Sequence, residues 1–244
     1  MNTNCYSSRV LEPRRAFTLT ELLVTISVIA VLAGLLIPAV LKSLDKSRQT
    51  TCINHVRQLA LGFMLYHGDS NDIFPGCASK RTYGPQPEDW IWWQRNRDPR
   101  QSAIARYVSQ FNPTLFRCPS DKEALKLAQT STGDPYKYSF SLTSYDLEKG
   151  KDVNLGMASI FTKDKPRKAF LFKATSIKNP AQKLMLVEED RINLNDGRWI
   201  PNYPSFDPLA TRHRGKADAA FADGHIQSVP RAFGTNAVNS LPSL

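Results

Sequence analysis

Four cysteines, four histidines and a few clustered carboxylates are the residues of this 244-residue chain best suited to metal binding or proton transfer. The cysteines are Cys5, Cys52, Cys77 and Cys118, with no C-x-x-C spacing, so a zinc or redox site is not expected. His55 and His67 stand twelve residues apart, which on a helix turns them about 120° from one another and prevents a shared metal. His213 and His225 flank an Asp223-Gly224 turn signal and can approach each other, but no third ligand is readable. Glu188, Glu189 and Asp190 follow an apolar run and read as a solvated strand end. The chain holds no H-E-x-x-H, G-x-S-x-G, P-loop or G-x-G-x-x-G. We therefore expect no enzyme, no metal and no cofactor. One weak pointer runs the other way: Asp69, Asn71 and Asp72 space their oxygens as a calcium loop does. The same residues, after Gly68, also suit helix termination and Asx turns.

A second group has binding rather than catalytic character. Trp90, Trp92 and Trp93 lie among Arg95, Arg97 and Arg100. Such a set either stacks bases or sugars or pins a long loop onto a core, and the second is the expectation. The net charge of +10 favours anionic partners such as nucleic acid, lipid headgroups or acidic polysaccharide, although the basic residues are spread along the chain.

One acid stands where an acid is costly. Leu22 to Leu41 is 20 residues without a charge, long enough as a helix to span about 30 Å of hydrocarbon, and Glu21 sits at its mouth. An acid in a membrane segment costs on the order of 2.5–3.5 kcal/mol and points to function. A cleaved secretory signal is excluded by length, since its apolar region runs only about 7–15 residues and ends at a small-residue site.

Arg14-Arg15-Ala16 followed by Phe17-Thr18-Leu19-Thr20-Glu21 resembles the amino terminus of type IV pilins and of the pseudopilins of type II secretion. The resemblance implies cleavage between Ala16 and Phe17 by a prepilin peptidase, which also methylates the new amino group of Phe17. It implies that Glu21, fifth in the mature chain, pairs with the amino terminus of a neighbouring subunit, and that Pro38 is a hinge. The residue before the cut is usually Gly in that family and is Ala16 here. Further partners implied are other pilin or pseudopilin subunits, an inner-membrane assembly platform and membrane lipid. The leader would be cytoplasmic and the carboxy-terminal domain periplasmic or on a surface filament. A second resemblance lies at the other end. His213, nine residues, then Asp223-Gly224 is similar to the H-x9-D-G signature of a group of prepilin-like proteins, as are the C-I-N-H-V-R-Q-L-A-L and F-R-C-P-S-D segments. No role for His213 or Asp223 follows from it; a bond to the hairpin backbone is the plainer expectation, a metal or ligand contact the sharper one.

The chain then divides into a leader (1–16), a transmembrane and assembly helix (17–41), an amphipathic continuation (42–67) and a globular domain (68–244). Ile53, Val56, Leu59, Ala60 and Phe63 form one apolar stripe, so a single helix from about Phe17 to Tyr66 is expected, bent at Pro38. Short helices are expected at Ser102 to Phe111 and Asp121 to Gln129. Strands are expected at Tyr136 to Leu142, Lys168 to Lys173 and Lys183 to Glu188, with an irregular loop over 190–212. Asp223-Gly224 predicts a two-residue hairpin turn in which Ala222 faces His225 and Phe221 faces Ile226. The fold class is α+β: a long helix packed on a small antiparallel sheet. Removal of Cys5 with the leader leaves three cysteines and three pairings, of which Cys52 with Cys118 is preferred because F-R-C-P-S-D suits an ordered strand end or turn.

Overall fold

The computed structural model describes residues 17–80, 83–94, 97–108, 112–122, 138–145, 156–190, 194, 196–201 and 207–243. It divides into two units, Met1–Leu44 and Asp45–Leu244. The first is the amino-terminal part of helix α1 (Leu19–Asp69), a helix that runs through Pro38 without interruption. Its large apolar side chains, Leu22, Leu23, Ile26, Ile29, Leu32 and Leu36 among them, are all exposed. By length and composition this stretch is apolar enough to cross a membrane.

The second unit begins with the remainder of α1. Cys52, Val56, Leu59, Ala60, Gly62 and Phe63 are its buried face, while Asn54, Arg57 and Gln58 stay in solvent. Val56, Leu59, Ala60 and Phe63 are buried as the apolar pattern suggests, and only its start differs: Cys52 lies in the core and Ile53 on its margin. A buried free cysteine behaves as a small hydrophobe, and an apolar count that omits it misplaces the start of the stripe.

Five strands form the main sheet in the order β5-β1-β4-β6-β7, with β1 at Phe140–Thr143, β4 at Leu184–Glu188, β5 at Arg198–Trp199, β6 at Lys216–Phe221 and β7 at Ile226–Pro230. β2 (Ile160–Phe161) and β3 (Ala169–Phe170) make a separate antiparallel pair. The α+β class stands, but the main sheet is mixed, because β5 runs parallel to β1. β4 lies at its centre and is buried at every position. One face of the sheet carries Phe140, Leu142, Leu186 and Ala220 in a core shared with Val56, Leu59 and Phe63 of α1. The other carries Val187, Trp199, Ala217, Ala219, Phe221 and Val229. A register shift between Leu184 and Leu186 returns Leu184 to this second face. Asp218 and Glu188 project to the α1 side by the alternation of their strands.

The β6–β7 hairpin forms where the sequence places it, with a different register. Ala220, not Phe221, stands opposite Ile226. Phe221 N–H donates to His225 O at 2.9 Å, and Gly224 N–H to Phe221 O at 2.9 Å. The loop therefore holds three residues, closed by Gly224 at φ +89°, the type I turn with a left-handed third residue. Phe221 and Ile226 consequently fall in different cores. Glycine suits 224 because of that positive φ, and a β-carbon there would also press on the flexible end of Met64, 2.3 Å from Cε, which would have to swing aside.

Other expectations are met in part. Between Ser102 and Val108 the chain forms a short 3-10 turn, Ala105–Tyr107, rather than a helix, and residues 109–111 lie outside the described set. The proposed helix to Gln129 and the start of the Tyr136 strand lie outside it too. The expected loop over 190–212 contributes β5 to the sheet edge.

Candidate functional site

At the amino terminus the geometry is local. Thr18 N–H and Thr18 Oγ1 donate to Glu21 Oε2 at 2.9 and 2.8 Å, and Glu21 N–H donates to Thr18 Oγ1 at 3.2 Å. This is a reciprocal capping box: the threonine satisfies an orphan donor of the first turn and the glutamate reaches back to the cap. The T-x-x-E spacing inside F-T-L-T-E thus starts α1 cleanly, and the helix dipole favours the carboxylate at that end. Phe17 is 79% exposed. Ala16 lies outside the described residues. Pro38 sits inside continuous helix, with every neighbour from Leu35 to Leu41 exposed.

His213 defines a second, buried group. His213, Arg214, Gly215 and Lys216 make a tight turn, Arg214 at φ +53° and Gly215 at φ +83°, closed by His213 N–H to Lys216 O and Lys216 N–H to His213 O, both at 3.1 Å. Positive φ at both central residues is the type I′ geometry, which leads directly into β6. The turn holds the His213 ring beside Cys118 Sγ (3.2 Å), Glu188 Oε2 (3.4 Å) and Asp218 Oδ2 (3.5 Å). Cys52 Sγ on α1 donates to Glu188 Oε1 at 3.3 Å. One ligand atom from each of Cys52, Cys118, Glu188 and His213 lies within 4.8 Å of the others.

Cys52 and Cys118 therefore meet, as a disulfide between them requires, but as two free thiols. Each sulfur has taken another partner, Glu188 for Cys52 and His213 for Cys118. Cys77 is free and buried elsewhere, and burial pushes its thiol up to about 12. Glu188 and Glu189 are not a solvated strand end. They are 0% and 1% exposed: Glu188 ends a central strand covered on both faces, and Glu189 follows it in a bridge to Leu209. Ser141 Oγ donates to Glu189 Oε2 at 2.5 Å. Burial raises Glu189 well above the ordinary carboxylate range. Glu188 differs: burial raises it, but the hydrogen bond and charge of His213, the charge of Arg212 and the Asp218 N–H bond bring it below that range. Burial lowers His213, and its bonds to Cys118 and Glu188 outweigh this and lift it to about 10. The site is thus an imidazolium beside a carboxylate. Of the two thiols, Cys118 ionises more readily, because the neighbouring Cys52 sulfur and the bond to His213 lower it against the effect of burial.

An open pocket of about 280 Å³ borders this group, lined by Lys46, Arg48, Lys122, Arg212, His213 and Arg214 among others. Arg212 bridges Asp121 Oδ2 (3.1 Å) and Glu188 Oε1 (3.7 Å).

The remaining sequence-predicted residues have local partners. Asp223 Oδ1 accepts from His225 N at 3.1 Å, so Asp223 does bond the hairpin backbone. It also meets His225 Nδ1 at 2.6 Å, and the His225 ring stacks on Phe221 at 4.2 Å. His213 and His225 thus have separate surroundings. Asp72, at φ +68°, takes the Thr175 N–H and hydroxyl on Oδ2 at 2.9 and 2.5 Å, while Asp69 is exposed. Trp90 and Trp93 are buried, donating to Gly197 O and Ala78 O at 2.7 and 3.2 Å; Arg97 covers the Trp92 ring at 3.7 Å. The tryptophans pin the loop, as expected; Arg95 lies outside the described residues. Glu188 is the site residue the sequence hides. The signal was L-M-L-V ahead of it, since an apolar run without alternation marks a strand buried on both faces.

The prokaryotic N-terminal methylation motif matches the chain over residues 13–37. The protein thus carries a prepilin-type amino terminus leading into a long apolar helix. No curated protein and no solved structure matches the chain.

Proposed function

We propose that the protein is a pseudopilin-like subunit, cut between Ala16 and Phe17 by a prepilin peptidase, methylated at Phe17 and assembled through α1 into a type II secretion pseudopilus or type IV pilus-like filament. The observation that carries this reading is the methylation motif over residues 13–37, running into an uninterrupted helix whose apolar part is wholly exposed. Before assembly that exposed surface belongs in the inner membrane, with the domain from Asp45 onward on the periplasmic side. On assembly it moves into a bundle of like helices, with Pro38 as the hinge. Glu21 enters that bundle as a carboxylate in apolar surroundings, where a partner charge is needed. The amino group of Phe17 on a neighbouring subunit supplies it. The role is structural, and the H-x9-D-G residues His213, Asp223 and Gly224 serve the fold of the head. The mature amino terminus, read by mass spectrometry, tests the proposal. Methylated Phe17 is expected; an intact Met1, or a cut beyond residue 35, overturns it.

A second reading draws on the basic pocket beside Lys46, Arg48, Lys122 and Arg214. A membrane-anchored module that never polymerises would offer that pocket to an acidic polysaccharide or DNA. Mechanical shearing of cells separates the two readings. A filament subunit leaves with the sheared fraction, whereas a lone anchored module stays in the membrane.

A further inference from the structure

Cys52, Cys118, Glu188 and His213 come from four separate places: α1, the segment after the 3-10 turn Pro113–Phe116, the end of β4 and the type I′ turn before β6. All four are buried, and no other group of three or more histidine, cysteine or acidic ligands is found among the described residues. Four unrelated elements converging two thiols, an imidazole and a carboxylate on one point need a physical reason. Apolar packing does not require it, because Glu188 and His213 each bring a desolvation cost that an aliphatic side chain would avoid.

The separations supply the reason. Zinc–sulfur bonds of ~2.3 Å and zinc–nitrogen or zinc–oxygen bonds of ~2.0–2.2 Å give a tetrahedron with edges of about 3.3–3.8 Å. The cluster has Cys118 Sγ to His213 Nε2 at 3.2 Å, Cys52 Sγ to Glu188 Oε1 at 3.3 Å and His213 Nε2 to Glu188 Oε2 at 3.4 Å. The Nε2 to Oε2 separation is long for a hydrogen bond, and all three are close to the edges of a coordination shell, with each Glu188 oxygen facing a different ligand. The surrounding groups agree. Asp218 N–H holds Glu188 Oε2 at 2.8 Å and so orients the carboxylate, and Arg212 near Oε1 offsets negative charge. Asp218 Oδ2 is buried with no hydrogen-bond partner and faces the same imidazole nitrogen at 3.5 Å, an ion pair with the imidazolium that a metal cation at that nitrogen would replace. The pocket lined by His213 gives an ion a route in.

We propose that this group is a metal site for a divalent zinc-like cation, held by Cys52, Cys118, His213 and Glu188. Four protein ligands leave no open position, so the site is structural rather than catalytic. It ties the carboxy-terminal half of α1 to the sheet, a cross-link of the kind a disulfide between Cys52 and Cys118 would otherwise make. The two thiols and the His213 imidazolium release their protons to solvent as the metal–sulfur and metal–nitrogen bonds form, and no oxidant is involved.

The test uses the full chain purified in detergent under reducing conditions. Zinc content is measured by elemental analysis after dialysis, together with the absorption spectrum of protein loaded with cobalt. Wild type is expected to hold about one zinc per chain and to show thiolate-to-cobalt charge transfer with tetrahedral d–d bands. Cys52→Ser/Cys118→Ser is expected to lose at least nine-tenths of the zinc, on the order of the loss that removing half a ligand set causes. Cys77→Ser should bind as wild type does. Should the double variant fail to fold, the wild-type cobalt spectrum decides alone. Reduced wild type that takes up no zinc and shows no cobalt–thiolate band overturns the proposal, as does unchanged zinc in a folded double variant.

Discussion

Substitution at the capping box separates two uses of one carboxylate. Glu21 both closes the first turn of α1 and, on the proposed function, meets the amino group of a neighbour. Thr18→Ala removes the cap and leaves the charge. Losing a threonine cap costs typically ~1 kcal/mol, about fivefold in an equilibrium. Glu21→Gln does the reverse, since glutamine can reach back to the cap N–H as glutamate does, without the charge. The neighbour's buried ammonium is then unpaired, at about 3–5 kcal/mol, or at least a hundredfold in incorporation. Glu21→Ala loses both. The assay is the ratio of protein in the sheared fraction to protein in the membrane, with mass spectrometry of the amino terminus confirming that each variant is processed. Thr18→Ala should fall by about fivefold, while both Glu21 variants, though cleaved, should be absent from filaments. Glu21→Gln within about fivefold of wild type would show that the residue serves only as a cap.

Phe63, fully buried and in ring contact with Trp90 at 5.5 Å, should cost ~3–5 kcal/mol on replacement by alanine, lowering Tm by roughly 6–20 °C in a thermal melt. Gly224→Ala combines about 1–2 kcal/mol of left-handed backbone strain with the Met64 clash. A double variant with Met64→Ala should recover the clash and leave the strain, so non-additive Tm values are expected. Asp89 gives a pH signature. Burial lifts its carboxyl from 3.8 to about 7, against two backbone N–H bonds from Gln86 and Ala78. Between those values the unfolded chain is ionised while the folded one keeps its proton, so this group's contribution to stability falls as pH rises, by on the order of 4 kcal/mol at most. The Tm of wild type minus that of Asp89→Asn should therefore decrease from pH 4 to pH 7, and a flat difference would refute it.

Much of this architecture is readable in the residues themselves. Charge-free sequence from Leu22, the T-x-x-E cap and the Val56–Leu59–Phe63 spacing specify α1 because helix periodicity is a local property. Leu184 to Glu188 locates the central strand and the Asp223-Gly224 turn the β6–β7 hairpin for the same reason. What escapes is set by tertiary context. The hairpin slips by one residue because Gly224 takes a left-handed position that closes a three-residue loop, and D-G is compatible with either loop. Cys52 replaces Ile53 in the stripe because a thiol counts as apolar only once buried. Glu188 is hidden because an acid is assigned to water by default, and only the sheet order makes β4 a central strand. The meeting of Cys52, Cys118, Glu188 and His213 depends on four chain segments at once, and no local pattern announces it.

The side-chain bond from Gln49 Nε2 to Ser228 Oγ joins residues 179 positions apart. It has a consequence for how the head is made. The helix leaves the ribosome well before β6 and β7 and exposes Val56, Leu59 and Phe63 until those strands, far along the chain, arrive to complete the sheet against it. Such long-range closure is entropically slow. The decisive step in folding the head thus waits for β7, and the interval between the appearance of Cys52 and that of Val229 is when the chain is most open to aggregation.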